Sequence, residues 1–216
     1  MSDTTVAKSG ATLAVIAAVC TALVALTYQS TEERIKENEK AWLEQSLQPA
    51  LSGLFYDSGV TESRIVLPPP HDLPGTGAAM IYRVYAQGEP VAALFVVSAR
   101  DGYSGPIRIL VGVETTGMVT GVHVLEHRET PGLGDRVESG KSDWVKQFDG
   151  RSLIDPDPEG WQIKRDGGQY DQLTGASITP RAIVKAIKET LIYFDSNRED
   201  IFAQPLQGSE KEEDQQ

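Results

Sequence analysis

Thiols and imidazoles are scarce in this chain, and their scarcity excludes several kinds of redox and metal site. Among 216 residues there are one cysteine, Cys20, and three histidines. A single cysteine can form no internal disulfide, no multi-thiolate zinc site and no cysteine-ligated iron–sulfur cluster within the chain. His123 and His127 have the spacing of a helical metal pair, but the surrounding residues alternate as in a strand, which would hold the two side chains apart. We therefore expect no metal site.

Basic residues are also in short supply. Lys and Arg total 20 against 31 Asp and Glu, which gives a formal net charge of -11. Because nucleic-acid affinity comes mostly from basic groups that neutralise phosphates, no nucleic-acid partner is expected. No Gly-x-Gly-x-x-Gly follows a predicted strand and no Walker-type loop is present, so sites for nicotinamide dinucleotides and nucleoside triphosphates are not expected either.

One long apolar run is present near the amino terminus. No residue from Ala11 to Tyr28 is charged, and a helix needs about 17–25 residues of this kind to cross a membrane. No convincing small-residue cleavage site follows, which favours an uncleaved transmembrane helix over residues 10–29 rather than a signal peptide. The flanking charges favour residues 1–9 in the cytoplasm and the rest of the chain on the periplasmic side. Small residues four apart favour packing against partner membrane subunits, although a high alanine content alone gives the same pattern.

The remainder of the chain is predicted to be a stalk, a connector and one α+β domain. Residues 30–78 contain a polar helix from Thr31 to Leu51 and a proline-rich connector from Leu67 to Gly77. Residues 79–203 hold four β-type runs joined by short turns, which predict an antiparallel meander with flanking helices. These runs are Met80–Ala86, Val91–Ala99, Ile107–Glu114 and Met118–Leu125. Residues 204–216 are polar and acidic and are predicted to be disordered.

A hydroxyl-rich segment precedes the last predicted helix. Thr179 followed by Pro180 is typical of an N-cap and the first helical residue, and Thr174, Gly175 and Ser177 come just before them. The N-terminus of a helix suits a phosphate, although an ordinary helix start would have the same composition. The segment also lacks the final glycine of Gly-x-Ser-x-Gly, and no histidine follows it, which argues against a serine hydrolase.

A glycine-containing loop follows the last predicted strand and runs from His127 to Asp135. Its glycines allow a flat ligand to approach the backbone closely, Pro131 stiffens the turn, and Leu133 offers an apolar contact. A tight surface turn would have the same composition.

Together, the two segments carry a resemblance to a known family. The sequence Asp171-x-x-Thr-Gly-Ala-Ser177 matches the pattern Asp-x-x-[Ser/Thr]-Gly-Ala-[Ser/Thr], at which flavin transferases attach FMN through a phosphoester. Glu129-Thr-Pro-Gly-Leu-Gly134 matches a second signature of the same FMN-binding domain. With the runs Tyr103–Leu110 and Lys141–Trp144, the chain resembles the G subunit of the Rnf-type (Rsx) ion-translocating electron transport complex. It is more distantly similar to the C subunit of the sodium-pumping NADH:quinone reductase.

The resemblance implies an FMN joined covalently to Ser177, which stands where the family usually has threonine. Thr174 and Thr179 are the alternative acceptors. Asp171 is implied in recognition by the flavin transferase, a magnesium-dependent enzyme that uses FAD as donor. The implied cofactor-binding residues are Glu129, Thr130, Gly132, Leu133, Thr174, Gly175 and Ala176.

The resemblance also implies a function as an electron carrier rather than a free-standing enzyme. The protein would be a single-pass subunit of a complex in the bacterial inner membrane, with its soluble domain on the periplasmic side. It would pass electrons between flavin or iron–sulfur partners while the complex couples that flow to ion movement. The alternative is a membrane-anchored binding or scaffold module without a redox function.

Overall fold

The computed structural model describes residues 13–21, 44–51, 53–57 and 59–203. It divides the chain into two compact units, Met1–Leu43 and Glu44–Gln216. In the first unit, residues 13–21 form a helix with exposed side chains. Across the described residues, no helix combines the length and the apolar character needed to cross a membrane. The rest of the predicted 10–29 helix and the predicted tail 204–216 lie outside the described residues.

The second unit is built on a five-stranded antiparallel sheet whose strands neighbour one another in chain order. The strands are β1 Arg64–Leu67, β2 Ala79–Ala86, β3 Glu89–Ala99, β4 Ile107–Glu114 and β5 Val119–Glu126. In the middle of the sheet, Phe95 of β3 lies opposite Ile81 of β2 and Val111 of β4. The predicted meander is therefore confirmed, with strand ends within two residues of those expected.

β1 is a strand that the sequence pattern did not reveal. It has four residues, lies directly before the proline-rich stretch, and pairs with β2 so that Ile65 faces Ile81. A strand this short shows too few alternations to be recognised against its surroundings. The sheet therefore includes residues that precede position 79, which were expected to be stalk and connector.

The long helix Ile178–Ala203 covers one face of the sheet. Its buried residues Ile183, Ile187 and Leu191 recur at helical spacing, as predicted, and belong to the main hydrophobic core. Phe194 meets Phe95 edge-on, with ring centroids 6.0 Å apart. This packing fixes the helix across β3 and β4 and brings its amino-terminal end to the side of the sheet where β5 ends.

The opposite face receives part of the predicted stalk. Residues 44–47 are helical and Gln48–Leu51 form a 3-10 turn, whereas the predicted stalk residues 31–43 lie outside the described residues. Gly112 and Gly121 lie opposite each other on β4 and β5 and leave room for this turn. The Thr120 hydroxyl donates a hydrogen bond to the Ala50 carbonyl and holds the turn in place.

The chain between β5 and the long helix contains no strand of the sheet. It contains three 3-10 turns, Gly134–Val137, Trp144–Phe148 and Lys164–Asp166. Its core is an aromatic cluster in which Phe148 stacks on Tyr170, with centroids 4.7 Å apart, and meets Trp144 edge-on at 5.3 Å. This cluster supports the segment that leads into the long helix.

Candidate functional site

The two segments singled out in the sequence meet in one pocket at the amino-terminal end of the long helix. The pocket has a volume of about 350 Å³, within the range typical of small-molecule sites. Its wall consists of Tyr103, Glu129, Thr130, Leu133, Gly134, Gly175, Ala176, Ser177, Ile178 and Thr179.

The loop after β5 forms one side of the pocket. The Leu133 N–H donates to the Thr130 carbonyl at 3.1 Å, which closes a turn with Pro131 and Gly132 at its centre. Gly132 has a φ of 79°, as a type II turn requires at this position. Leu133 leaves the turn with 42% of its surface exposed and lines the pocket.

A second tight turn forms the other side. The Ala176 N–H donates to the Leu173 carbonyl at 3.0 Å, and Gly175 has a φ of 83°. A Cβ on Gly175 would lie 3.0 Å from Cδ2 of Leu133, so the two turns touch. Glycine is therefore needed at position 175 for its backbone conformation and for this close approach.

The long helix starts two residues earlier than predicted. Its first residue is Ile178, so Ser177 occupies the N-cap position and the assignment of that role to Thr179 was wrong. Thr179 is 0% exposed, and its hydroxyl donates a hydrogen bond to Oε2 of Glu129. Pro180 fits in the first turn because the N–H that it lacks would have no partner within the helix. Half-buried Ser177 therefore lies at the positive end of the helix dipole.

Glu129 joins three segments of the site. The side chain is 5% exposed, and its Oε1 accepts a hydrogen bond from the Ser104 N–H at 2.9 Å while Oε2 accepts from Thr179. The Glu129 N–H donates to Nδ1 of His127 at 3.0 Å. A Cβ on Gly134 would lie 2.9 Å from both Glu129 Oε2 and Thr179 Oγ1, so this contact also requires a glycine.

His127 is held from its other side by an ion-pair cluster. Its Nε2 lies 2.7 Å from Glu138 Oε1, which Lys141 also contacts at 2.7 Å. The Lys141 hydrogen bonds lower the pKa of Glu138 and of Asp135, and the same two carboxylates raise the pKa of Lys141. His123 is separate from this cluster, and burial lowers its pKa.

Asp171 is fixed through its backbone and presents its side chain to solvent. Its N–H donates to Gln147 Oε1 at 2.7 Å, and its carbonyl accepts from the Trp144 indole N–H at 2.6 Å. Its exposed carboxylate pairs with Lys164. The aromatic cluster thus anchors the start of the Asp171–Ser177 motif.

The structure brings together most of the predicted site residues and adds others. Those that line the pocket are Glu129, Thr130, Leu133, Gly175, Ala176 and Ser177. Gly132, Thr174 and Asp171 lie outside its wall. Sequence reasoning did not assign Tyr103 or Ile178 to the site; they are 68% and 42% exposed, which is high for large apolar side chains. Tyr103 has no local pattern that would indicate a ligand, because only the folded chain brings it to the pocket, and Ile178 next to Ser177 has the composition of an ordinary helix residue.

Comparisons with known proteins place the sequence among FMN-binding relatives. The family model of the FMN-binding domain matches residues 102–192, and that of the RnfG N-terminal region matches residues 1–49. The G subunit of the ion-translocating oxidoreductase complex of Shewanella oneidensis is 43% identical over 199 residues, covering 92% of this chain and 94% of that protein. The G subunit of the same kind of complex from Pseudomonas aeruginosa is 44% identical over 191 residues, covering 88% and 89%. The crystal structure of Shewanella oneidensis NqrC aligns with 68% of this chain and 76% of that chain, with a TM-score of 0.43 and 22% identity.

The whole pocket wall falls within the matched FMN-binding domain, and the cofactor of this domain is FMN. Its residues fit that group, because a hydroxyl at a helix N-terminus suits the phosphate and the exposed apolar side chains Tyr103, Leu133 and Ile178 suit a flat aromatic ring. The chain belongs to the family formed by the G subunits of ion-translocating oxidoreductase complexes.

Proposed function

We propose that this protein is an electron-transfer subunit of an ion-translocating complex and that its FMN is bonded through the phosphate to Oγ of Ser177. We choose Ser177 as the attachment residue because the three candidate hydroxyl groups lie in different environments. Ser177 is half-buried in the pocket wall, Thr174 is exposed outside it, and Thr179 is fully buried with its hydroxyl donated to Glu129. Of the three, Ser177 alone combines access with a place in the pocket.

The attachment is a transfer of FMN from FAD, catalysed by a flavin transferase. The Ser177 oxygen forms a bond to the phosphorus nearer the flavin, the bond between that phosphorus and the bridging oxygen breaks, AMP leaves, and the hydroxyl proton is released. The resulting phosphodiester keeps one negative charge, which the first-turn N–H groups and the helix dipole stabilise. The Asp171 carboxylate lies at the surface, where it pairs with the exposed Lys164, and the transferase would recognise it there.

Once bound, FMN supplies electron-transfer chemistry, and the protein supplies its position and electrostatic surroundings. Tyr103, Leu133 and Ile178 provide an apolar surface for the ring. The Thr130–Leu133 and Leu173–Ala176 turns fix the two sides of the pocket through their backbone hydrogen bonds. A covalent bond keeps the cofactor from being lost by dilution on the periplasmic side.

The proposal includes a membrane anchor. Residues 10–29 would cross the bacterial inner membrane once, with residues 1–9 in the cytoplasm and the FMN domain in the periplasm. The uncharged run Ala11–Tyr28 supports this topology. Relatives named as the G subunit of an ion-translocating oxidoreductase complex support an assembly with other subunits. In that assembly the protein would hold the FMN that supplies the electron-transfer chemistry.

Expression with a flavin transferase tests the attachment. We expect flavin fluorescence to stay with the protein band on a denaturing gel and to vanish in Ser177→Ala. Trypsin should release residues 166–181 as one peptide, since Arg165 and Arg181 bound it, and its mass should rise by FMN less one water. Fragmentation of that peptide distinguishes Ser177 from Thr174 and Thr179. A colourless wild-type protein would refute the carrier function and favour the scaffold alternative, and fluorescence that persists in Ser177→Ala would refute the assigned residue.

A further inference from the structure

Among the described residues that form the wall of the FMN pocket, Glu129 alone has a charged side chain. The wall residues that the structure describes include no lysine, arginine or histidine. Glu129 is also 5% exposed, so little water reaches its carboxylate. A charge at such a place acts on a neighbouring group more strongly than a surface charge, because the surrounding medium screens it less.

The hydrogen-bond partners of the Glu129 carboxylate are neutral groups rather than cations. Its Oε1 accepts a hydrogen bond from the Ser104 N–H and its Oε2 accepts one from the Thr179 hydroxyl, and both donors are neutral. Within the described part of the chain, no basic side chain comes within ion-pair distance of it. The nearby cation Lys141 contacts Asp135 and Glu138 instead.

The carboxylate is also fixed in place. Its backbone N–H is bound to His127, and the space beside its Oε2 is too small for a Cβ on Gly134. Rotation of the side chain into solvent would leave the Ser104 N–H and the Thr179 hydroxyl without partners. These contacts therefore hold the carboxylate in the pocket wall.

We propose that Glu129 is a positioning and tuning residue that lowers the reduction potential of the bound flavin. The inference rests on the proposed function, since it requires FMN in this pocket. Reduction adds electrons to the ring, and the negative charge that builds up there is disfavoured beside a fixed, uncompensated anion. Because the carboxylate also holds the start of the helix that carries Ser177, one residue sets both the position of the cofactor and its electrostatic surroundings.

Two variants separate the charge from the hydrogen bond. Glu129→Gln preserves the size of the side chain and removes the charge, whereas Thr179→Val breaks the hydrogen bond to Glu129 and keeps the charge. We expect a redox titration of the full-length flavinylated protein in detergent to give a more positive midpoint potential for Glu129→Gln. Thr179→Val should show no such increase. Glu126→Gln, which removes an exposed carboxylate paired with Arg108, is the control and should match wild type.

Equal midpoint potentials for Glu129→Gln and wild type would overturn the proposal, as would a rise in Thr179→Val equal to that in Glu129→Gln.

Sulfite binding to the wild-type protein provides a second measurement, which is decisive if Glu129→Gln does not accept FMN. The sulfur lone pair of sulfite bonds to N5 of oxidised flavin without a leaving group, and a fixed anion opposes this addition. We expect weaker binding than to free FMN, and tighter binding would overturn the proposal. Absence of flavin from wild type would overturn the proposed function and this inference together, whereas unchanged potentials in a flavinylated protein would overturn only the inference.

Discussion

Thr179 and Ser177 are two residues apart, yet the structure gives their hydroxyls opposite environments. Replacement of Thr179 by valine keeps its shape and removes the donor to Glu129, so a buried carboxylate oxygen loses its partner. We expect Thr179→Val to lower the free energy of unfolding by about 1–3 kcal/mol, measured by urea denaturation, and to keep FMN on Ser177. Loss of FMN from a Thr179→Val protein that still folds, together with FMN retained in Ser177→Ala, would show that Thr179 is the acceptor.

Gly134 offers a second test of the same contact, by crowding it rather than removing it. A methyl group at this position would press on Glu129 Oε2 and Thr179 Oγ1, both 2.9 Å from where the added Cβ would lie. We expect Gly134→Ala to cost about 1–3 kcal/mol of unfolding free energy. Gly140 is the matched control, because a Cβ there meets nothing within 4 Å and its φ is not positive. Equal stabilities for Gly134→Ala and Gly140→Ala would contradict the close packing at Glu129.

The residues of the site show which features a local sequence pattern can predict and which depend on contacts between distant segments. The hydroxyl-rich sequence indicated a helix start, which the structure confirms two residues earlier, and a phosphate site, which stays a prediction. The close approach of Gly175 to Leu133 was not predicted, because the two residues lie in different turns. The N-cap was misassigned because the Thr179 hydroxyl is taken by Glu129, a residue 50 positions earlier in the chain. Tyr103 was missed for the same reason, since only the folded chain brings it to the pocket.

At the level of elements, the Gln48–Leu51 turn packs against the sheet at a place where two glycines face each other. A Cβ on Gly112 would overlap the Ala50 carbonyl oxygen and the Thr120 hydroxyl, so an alanine there must displace the turn. We expect Gly112→Ala to lower the unfolding free energy by about 1–3 kcal/mol and to speed amide hydrogen exchange in residues 44–51. Gly77→Ala is the control, because that position has no neighbour within 4 Å. Unchanged amide exchange in Gly112→Ala would contradict the close packing of the Gln48–Leu51 turn against Gly112.

The start of the long helix is tied to the rest of the domain by two surface ion pairs. Arg181 contacts Asp166 through Nε–Oδ2 at 2.5 Å, and Lys185 contacts Asp101 at 2.7 Å. These cations lower the pKa of Asp166 and of Asp101 through hydrogen bonds. A carboxylate whose pKa is lowered on folding stabilises the fold above its unfolded pKa, and this contribution is lost as the pH falls through the lowered value.

We therefore expect the wild type to lose stability as the pH falls from neutrality to below about 4, where aspartate protonates. The double variant Asp166→Asn, Asp101→Asn should be less stable at pH 7 and should have a shallower dependence on acid. Thermal unfolding from pH 7 to pH 3 measures both. The difference is expected to be small, because exposed ion pairs contribute little and are screened by salt. Parallel pH profiles for the two proteins would contradict this origin of acid sensitivity.

The sheet was the most predictable element. Runs of β-branched and apolar residues bounded by turn residues defined β2 to β5, because burial on both faces demands continuous apolar character there. The segment between Glu126 and Ile178 was less predictable, since it lacks regular periodicity and is held by an aromatic cluster. Contacts between residues far apart in sequence leave few local signals in such a segment.

At the scale of the whole molecule, the proposed topology places a single anchor before residue 30 and the FMN domain on the far side of the membrane. An uncharged run as long as Ala11–Tyr28 would expose apolar side chains to water unless a membrane or another element covered it. We expect the full-length protein to stay with the membrane fraction after alkaline carbonate extraction, because a spanning helix is not held by surface charge. A variant that lacks residues 1–29 should move to the soluble fraction.

Protease added to spheroplasts tests the orientation of that anchor. If the domain lies in the periplasm, the fragment carrying the FMN fluorescence should be cleaved from the membrane without lysis, while a cytoplasmic control protein stays intact. Cleavage only after lysis would show that the domain lies in the cytoplasm. Extraction of the wild type by carbonate would show that residues 10–29 do not span the membrane. Either result would leave the FMN pocket unaffected, because every residue of its wall lies beyond position 100. The membrane topology and the cofactor site can therefore be tested independently, the first by extraction and protease access and the second by FMN attachment.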